Sequence, residues 1–395
     1  MRCVPIMNSS DRIFVAAWEY PPIMSGESVV CRKMLEHSHF DYDVCCGPVE
    51  AIGDNHVRLY PVKGNKYLSW PFLALRQFMK LDRQEHYKVL MSRVMPPNGH
   101  LAGWLIKKIK PGIKWIVYFS DPIWNSPFLH FSLRKDGSHR PNWLLMKLFG
   151  IPAKRALKEA NLLLFNNERL AKYVLSAQYE KYKDKVVIAP YGHEGVKPRP
   201  TPVRNDGKFR FTHVGQIYGN RTLRALVAGA ELLQKNEPEL FEKLEFRQVG
   251  FTCAAEEQRV IGSQAAAAFT LTGQVSYAES IEEMYQADVL LVIDPEFDDA
   301  KKNIYIPGKI YDYMSTGRPI VCIAEKDSAT GDVAQKAGYV VVEETMEAVY
   351  SMLVKIITQG TVQDKEGDAR IEKIFHCRIG AELSDRAIKE MLGGN

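Results

Sequence analysis

Residues 306–323, IPGKIYDYMSTGRPIVCI, carry the most suggestive spacing of reactive side chains in the chain. Pro307-Gly308 opens a predicted helix whose first turn holds Lys309, and Asp312 follows three residues later on the same face. Gly317 and Pro319 then mark the helix end and the next strand. A helix N-terminus offers unbonded N–H groups and a partial positive charge. With an ammonium beside it, that end suits a phosphate. A carboxylate one turn on can accept two hydrogen bonds from a ribose diol. The same residues also describe an ordinary helix with an exposed Lys and Asp, and the segment alone leaves both readings open.

Other chemistries lack their residues. No G-x-G-x-x-G follows a strand, and no H-E-x-x-H or G-x-S-x-G occurs. Gly308-Lys309 could end a phosphate loop, but Asn303 and Ile310 stand where Gly and Ser or Thr are needed. Seven scattered cysteines form no C-x-x-C pair, so they read as small buried residues of a reduced compartment. No apolar run approaches a membrane span, and the first residues lack a signal-peptide core, so a cytoplasmic chain is expected.

The elements that must position Lys309 are short apolar strands alternating with helices. Apolar runs at 13–17, 89–91, 115–119, 162–165 and 186–188 precede a proline-rich stretch, 196–207. After it the pattern restarts, with strands expected at 209–214, 244–249, 289–293, 320–323 and 339–342 and helices between them. Continuous apolar strands interleaved with helices point to parallel βαβ units. The fold class is therefore α/β, with two Rossmann-like parallel-sheet domains facing a cleft. The expected parts are a domain at 1–195, a linker at 196–207, a second domain at 208–368 and a C-terminal helix over 369–395 that packs back on the first. Ligands of such sheets bind at the carboxyl ends of the strands.

The segment K-I-Y-D-Y-M-S-T-G-R-P-I-V (309–321) resembles the donor-binding segment of GT-B glycosyltransferases of the retaining, family-4-like group. Further pieces in the same order agree: Tyr20-Pro21-Pro22 with Ser25-Gly26, Phe119-Ser120-Asp121-Pro122-Ile123-Trp124, and Phe165-Asn166-Asn167-Glu168. Pro190-Tyr191-Gly192, then Val214-Gly215 leading to Arg221, and Leu271 to Val275 complete the series. The resemblance implies a nucleotide-sugar transferase. In it Arg221 and Lys309 neutralise the donor pyrophosphate, Gly215 lets the backbone approach, and Asp312 holds the ribose. Gly308 adds backbone groups, Val275 meets the base, Gly26 lines the donor site from the first domain, and Asp121 orients or deprotonates the acceptor hydroxyl. No cofactor and no metal are implied, since the D-x-D signature of metal-dependent transferases is missing. The family often has a first acid eight residues before Asp312, where this chain has Ile304. Ser120 stands where many members have His, and Glu296, Asp298 and Asp299 offer acids nearby. A nucleotide-sugar epimerase of the same architecture and a non-catalytic GT-B binding protein are the alternatives.

Charge divides the chain. Its net +5 separates into +13 over residues 1–200 and −8 over 201–395. Residues 100–159 hold 11 Lys+Arg against three acids, interleaved with Trp104 and Trp143. Such a stretch can lie on an anionic membrane, which would suit a lipid-linked acceptor and a peripheral place on the cytoplasmic face. Equally, it can be a helix with its apolar side in the core and its lysines in water. A nucleic-acid partner is not expected, given the acidic second half.

Overall fold

The computed structural model describes residues 12–393 apart from 24, 51–53, 95–97, 124–142, 201–203, 298–302 and 361–364, together with the side chains outside 143–149 and 365–368. The chain forms two units, Met1–Gly192 with Cys377–Asn395, and His193–His376. Each is built on one parallel sheet.

The strands of the first unit are β1 (Ile13–Ala16), β2 (Tyr42–Cys46), β3 (Val57–Pro61), β4 (Val89–Arg93), β5 (Lys114–Phe119), β6 (Leu162–Phe165) and β7 (Val186–Ile188). They lie in the order β3-β2-β1-β4-β5-β6-β7. Helices α1 (Gly26–Glu36), α2 (Trp70–Glu85), α3 (Asn98–Ile109), α4 (Trp143–Glu159), α5 (Glu168–Leu175) and α6 (Tyr179–Tyr182) accompany them. β1, β2, β4 and β6 are buried along their whole length, as a sheet covered on both faces requires. Local sequence places the helix starts. Ser25 and Ser28 form a reciprocal capping box at α1, and Asn167 caps α5 through the Leu170 N–H.

The second unit has β8 (Phe209–Val214), β9 (Leu244–Val249), β10 (Phe269–Gly273), β11 (Val289–Ile293), β12 (Ile320–Ile323) and β13 (Val340–Val342), in the order β10-β9-β8-β11-β12-β13. Its helices are α7 (Arg224–Asn236), α8 (Pro238–Phe241), α9 (Ala254–Ile261), α10 (Tyr277–Gln286), α11 (Lys309–Thr316), α12 (Ala329–Ala337), α13 (Met346–Gln359) and α14 (Lys365–Phe375). Phe211, Phe246, Leu291 and Val321 of the sheet pack with Leu233, Val349 and Leu353 of the helices. In both sheets strand order reverses beside the first strand, between β1 and β4 and between β8 and β11. Such reversals open a crevice at the strand carboxyl ends.

Two sequence expectations are corrected. The C-terminal helix is two helices, α14 and α15 (Cys377–Met391). They break at His376, which pairs with His193 in an isolated bridge just where the chain passes from one unit to the other. Within the first unit, Ala387 and Ile388 of α15 join the core, and Asp385 accepts from Ser38 Oγ and the His39 N–H, both at 2.6 Å. The described part of the proline-rich stretch is not a loose linker. Lys197 N–H donates to Ser315 O (2.7 Å), Tyr285 Oη to Lys197 O (2.8 Å) and Arg318 to Pro200 O (3.0 Å). Arg199 pairs with Glu282, and Arg204 with Asp288. Prolines remove N–H donors, so the stretch joins no sheet, but its carbonyls and arginines fasten it to its own unit.

Candidate functional site

In the second unit the site begins where β8 ends. Gly215 follows the strand with φ +141°, a conformation that L side chains rarely adopt, and its N–H donates to Val249 O at 2.7 Å. A Cβ on Gly215 would overlap Lys309 Nζ. Gly250, φ +121°, ends β9 in the same way, and a Cβ there would lie 2.5 Å from Gly215 O. Glycine at 215 lets the lysine come in against bare backbone, and glycine at 250 lets the Gly215 carbonyl come close.

Lys309 reaches this place from the first turn of α11. Its Nζ lies 2.6 Å from His213 Nε2. Burial and the nearby Arg221 hold its pKa well below the ordinary lysine value, against the pull of Asp294. Arg221 is aimed by backbone carbonyls, donating from Nε to Ile293 O (2.7 Å) and from Nη1 to Gln216 O (3.3 Å). Two cations thus share the end of β8, with a helix N-terminus beside them. An anion arriving there relieves their mutual repulsion.

Asp294, 1% exposed at the end of β11, is fastened by Asn303 (2.9 Å) and Thr330 (2.8 Å). Burial lifts its pKa to about 6, although both partners and both cations pull it down. Glu296 is not poised for a ligand, since it pairs with Arg224 at 2.6 Å and accepts from Thr222 at 3.0 Å. Asp298 and Asp299 lie outside the described residues. Ile304, where the resemblance would put a first acid, is buried. Gly308 is the exposed N-cap of α11, with φ −54° and open space where a Cβ would be, so its glycine is not demanded by backbone geometry. Asp312 is half-buried in the first turn of the same helix. Val275 is half-buried in the loop between β10 and α10.

The first unit gathers a second polar group at the carboxyl ends of β4 and β5. Gly26 opens α1, with nothing within 4 Å of a built Cβ. The next residue, Glu27, meets the buried Arg93 at 2.6 Å, and the guanidinium lies 4.1 Å from the centre of the Tyr118 ring. Arg93 Nη2 is buried with no hydrogen-bond partner among the described residues. Asp121, in the loop after β5, has its pKa pushed up to about 7, chiefly by burial and then by the charge of Glu27. A carboxyl so placed can take a proton near neutral pH. Trp124, the last residue of the Phe119 motif, lies outside the described residues.

Three lysines of the basic stretch are engaged within their own unit, while Lys154, Arg155 and Lys158 are exposed. Lys107 caps Pro111 O and Ile113 O, Lys108 pairs with Glu159, and Lys110 pairs with Asp82. Arg134, Lys135 and Arg140 lie outside the described residues. No helix among the described residues is long and apolar enough to cross a membrane.

Sequence reasoning singled out Lys309, Arg221 and Gly215, and the structure brings these three together. It missed His213, Gln248 and Asp294 in this unit, and Glu27 and Arg93 in the other. The one signal for Asp294 was a lone acid directly after the apolar run 289–293.

Neither a protein-family model nor a curated protein matches the sequence. Solved structures do match over nearly the whole length. Sucrose-phosphate synthase from Thermosynechococcus elongatus superposes with a TM-score of 0.66 at 12% identity, covering 97% of this chain and 99% of that one. An E. coli trehalose-6-phosphate protein bound with UDP-2-fluoro glucose gives 0.64 at 11%, covering 96% and 99%. Anabaena HepE in complex with UDP and glucose gives 0.62 at 12%, covering 97% and 99%. Two parallel sheets, in the strand order found above and over this full length, give the chain the GT-B fold.

Proposed function

We propose that the chain is a nucleotide-sugar-dependent glycosyltransferase. It moves a sugar from a nucleoside diphosphate donor to a glycan or lipid-linked acceptor, with retention of configuration, in the synthesis of surface polysaccharide or glycoconjugate. The observation that carries this reading is Lys309 Nζ set against the bare backbone of Gly215, with Arg221 beside it. As the bond from the sugar to the diphosphate breaks, charge gathers on the leaving oxygens. Two fixed cations and the N-terminus of α11 stabilise that charge without reorganising. On this reading they do what a divalent metal does in other transferases, and activity survives chelators. Asp312 takes the ribose diol, Gly308 and Val275 offer backbone groups to the donor, and Gly26 contributes from the first unit. Asp121 accepts the proton of the attacking hydroxyl. UDP-sugars are the first donors to try, because neighbours of the same fold bind UDP, UDP-2-fluoro glucose and glucose.

A thermal-shift panel of nucleoside diphosphate sugars tests the reading, since a ligand that binds only the native state raises its melting temperature. A stabilising donor is then incubated alone. Appearance of an isomeric nucleotide sugar would replace the transferase with an epimerase, and binding without hydrolysis or transfer would leave a binding protein.

An anionic membrane surface is proposed as a partner of the first unit, on α2, which lies beside the stretch 100–159 and is joined to it by the Lys110–Asp82 pair. Leu68, Phe72 and Met79 are 72%, 56% and 43% exposed at the start and along one side of α2. The exposed Arg76, Lys80 and Arg83 share that helix. Apolar side chains ringed by cations fit the interface of an anionic bilayer.

A further inference from the structure

His213 has no part in the roles above, yet it sits 2% exposed inside β8. A buried imidazole is costly unless its nitrogens are paired. Both are: Nδ1 lies 2.5 Å from Gln248 Oε1, and Nε2 lies 2.6 Å from Lys309 Nζ. The parallel register of β8 and β9 sets His213 directly beside Gln248. Gln248 is itself 3% exposed and oriented, because its Nε2 donates to Gly215 O at 2.7 Å. That donation leaves Oε1 as an acceptor, so the imidazole carries its proton on Nδ1. The Nε2 lone pair then faces the lysine and accepts from it.

We infer that His213 is the positioning residue for Lys309: a neutral, tautomer-locked acceptor that fixes the ammonium against Gly215 so that its remaining N–H groups face a bound diphosphate. The inference rests on the donor-diphosphate reading of Lys309 and adds the device that aims it. A carboxylate in this place would neutralise the lysine and compete with the incoming anion. An imidazole fixes the same atom and leaves the charge whole. Arg221 is treated alike, with its Nε on the Ile293 carbonyl. The acid nearby, Asp294, has its oxygens occupied by Asn303 and Thr330. Protonation of His213 is opposed by its burial and by the charges of Lys309 and Arg221.

The test uses the full chain and inorganic pyrophosphate, followed by calorimetry, with the melting temperature of each variant measured alongside. His213→Leu is expected to weaken pyrophosphate binding about tenfold, the scale of one hydrogen bond to a charged group. His213→Gln, whose Oε1 can reach the place of Nε2, is expected to stay within about threefold of the parent, because it keeps the acceptor. Gln248→Leu, which frees the imidazole to change tautomer, should fall between them. Parent-like affinity in His213→Leu overturns the inference, while the donor reading stands if Lys309→Ala loses affinity. Equal loss in the Leu and Gln variants, both melting as the parent does, also overturns it, since the acceptor then does not matter. Should His213→Leu fail to fold, parent-like binding by Gln248→Leu overturns it instead. If the parent and Lys309→Ala bind pyrophosphate alike, or neither binds, the donor reading fails and the inference with it.

Discussion

A methyl group on Gly215 would occupy the place of the Lys309 ammonium. The two residues come from different elements, the end of β8 and the first turn of α11, and each fits only because of the other. Gly215→Ala should therefore displace the lysine and strain a backbone at φ +141°. Strain of about 1–3 kcal/mol is the usual scale for such a residue. The expected outcome is a lowered melting temperature together with loss of nucleoside diphosphate binding, read by thermal shift and calorimetry. Unchanged donor affinity would show that the ammonium does not need this berth.

Lys309→Ala and Arg221→Ala each remove one cation from the leaving-group site. Each should lower kcat/KM for the donor by about two to three orders of magnitude, as loss of a charge-stabilising group does elsewhere. Circular dichroism should show the fold intact. Near-parental turnover in both variants would end the assignment of this site.

Asp121 sets a pH dependence. Its carboxyl is held up to about 7 by burial and by Glu27, so falling pH protonates it within the physiological range. A base that must be ionised then gives a rate that falls about tenfold per pH unit below that value. Asp121→Asn should lose this acid limb and about two to four orders of magnitude in kcat. A parental acid limb in the variant would assign the titration to another group.

Glu344, just after β13, predicts a stability effect of defined sign. Burial, and then the charges of Asp294, Glu296 and Glu325, raise its pKa from 4.5 to about 8. The folded state thus holds a proton that the unfolded chain releases above about 4.5. Stability is lost as pH rises through that window, and the full penalty is in place above about 8. Glu344→Gln carries no such penalty. Its melting temperature relative to the parent should rise between pH 5 and pH 9, and a constant difference would refute this.

Docking of α2 on a membrane is read by co-sedimentation. Binding is expected to vesicles containing anionic lipid and not to neutral ones, and to fall with salt. Phe72→Ser with Lys80→Glu should abolish it. Salt-independent binding to neutral vesicles would contradict the electrostatic part.

How far the sequence spoke depended on how each element hides its polar groups. Runs such as VLLVI at 289–293 announced buried strands directly, and all five residues are buried in β11. β2 stayed hidden because Asp43 interrupts it. Its carboxylate is held inside by Arg12, Arg58 and Tyr87, which lie 31, 15 and 44 residues away. The half-buried edge strand β3 mixes Arg and Tyr with its apolar residues and gave no run. At the site, Lys309 stood out by its type and its place at a helix start, while Arg221 and Gly215 were found by resemblance. His213 and Gln248 look like ordinary polar residues in two separate strands. Only the register between β8 and β9 turns them into one hydrogen-bonded relay. Asp121 was found by resemblance, but its raised pKa comes first from burial and then from Glu27, which arrives from α1.

The first unit also fixes an order of assembly. Its core draws on Ala387 and Ile388, and Asp385 ties down the Ser38 turn, yet these residues are made after the whole of the second unit. As the chain leaves the ribosome, His193–His376 can close completely while the earlier-made sheet still waits for α15. A gene cut after codon 192 would thus encode a first unit lacking part of its interior. A fragment library would recover His193–His376 more readily than Met1–Gly192.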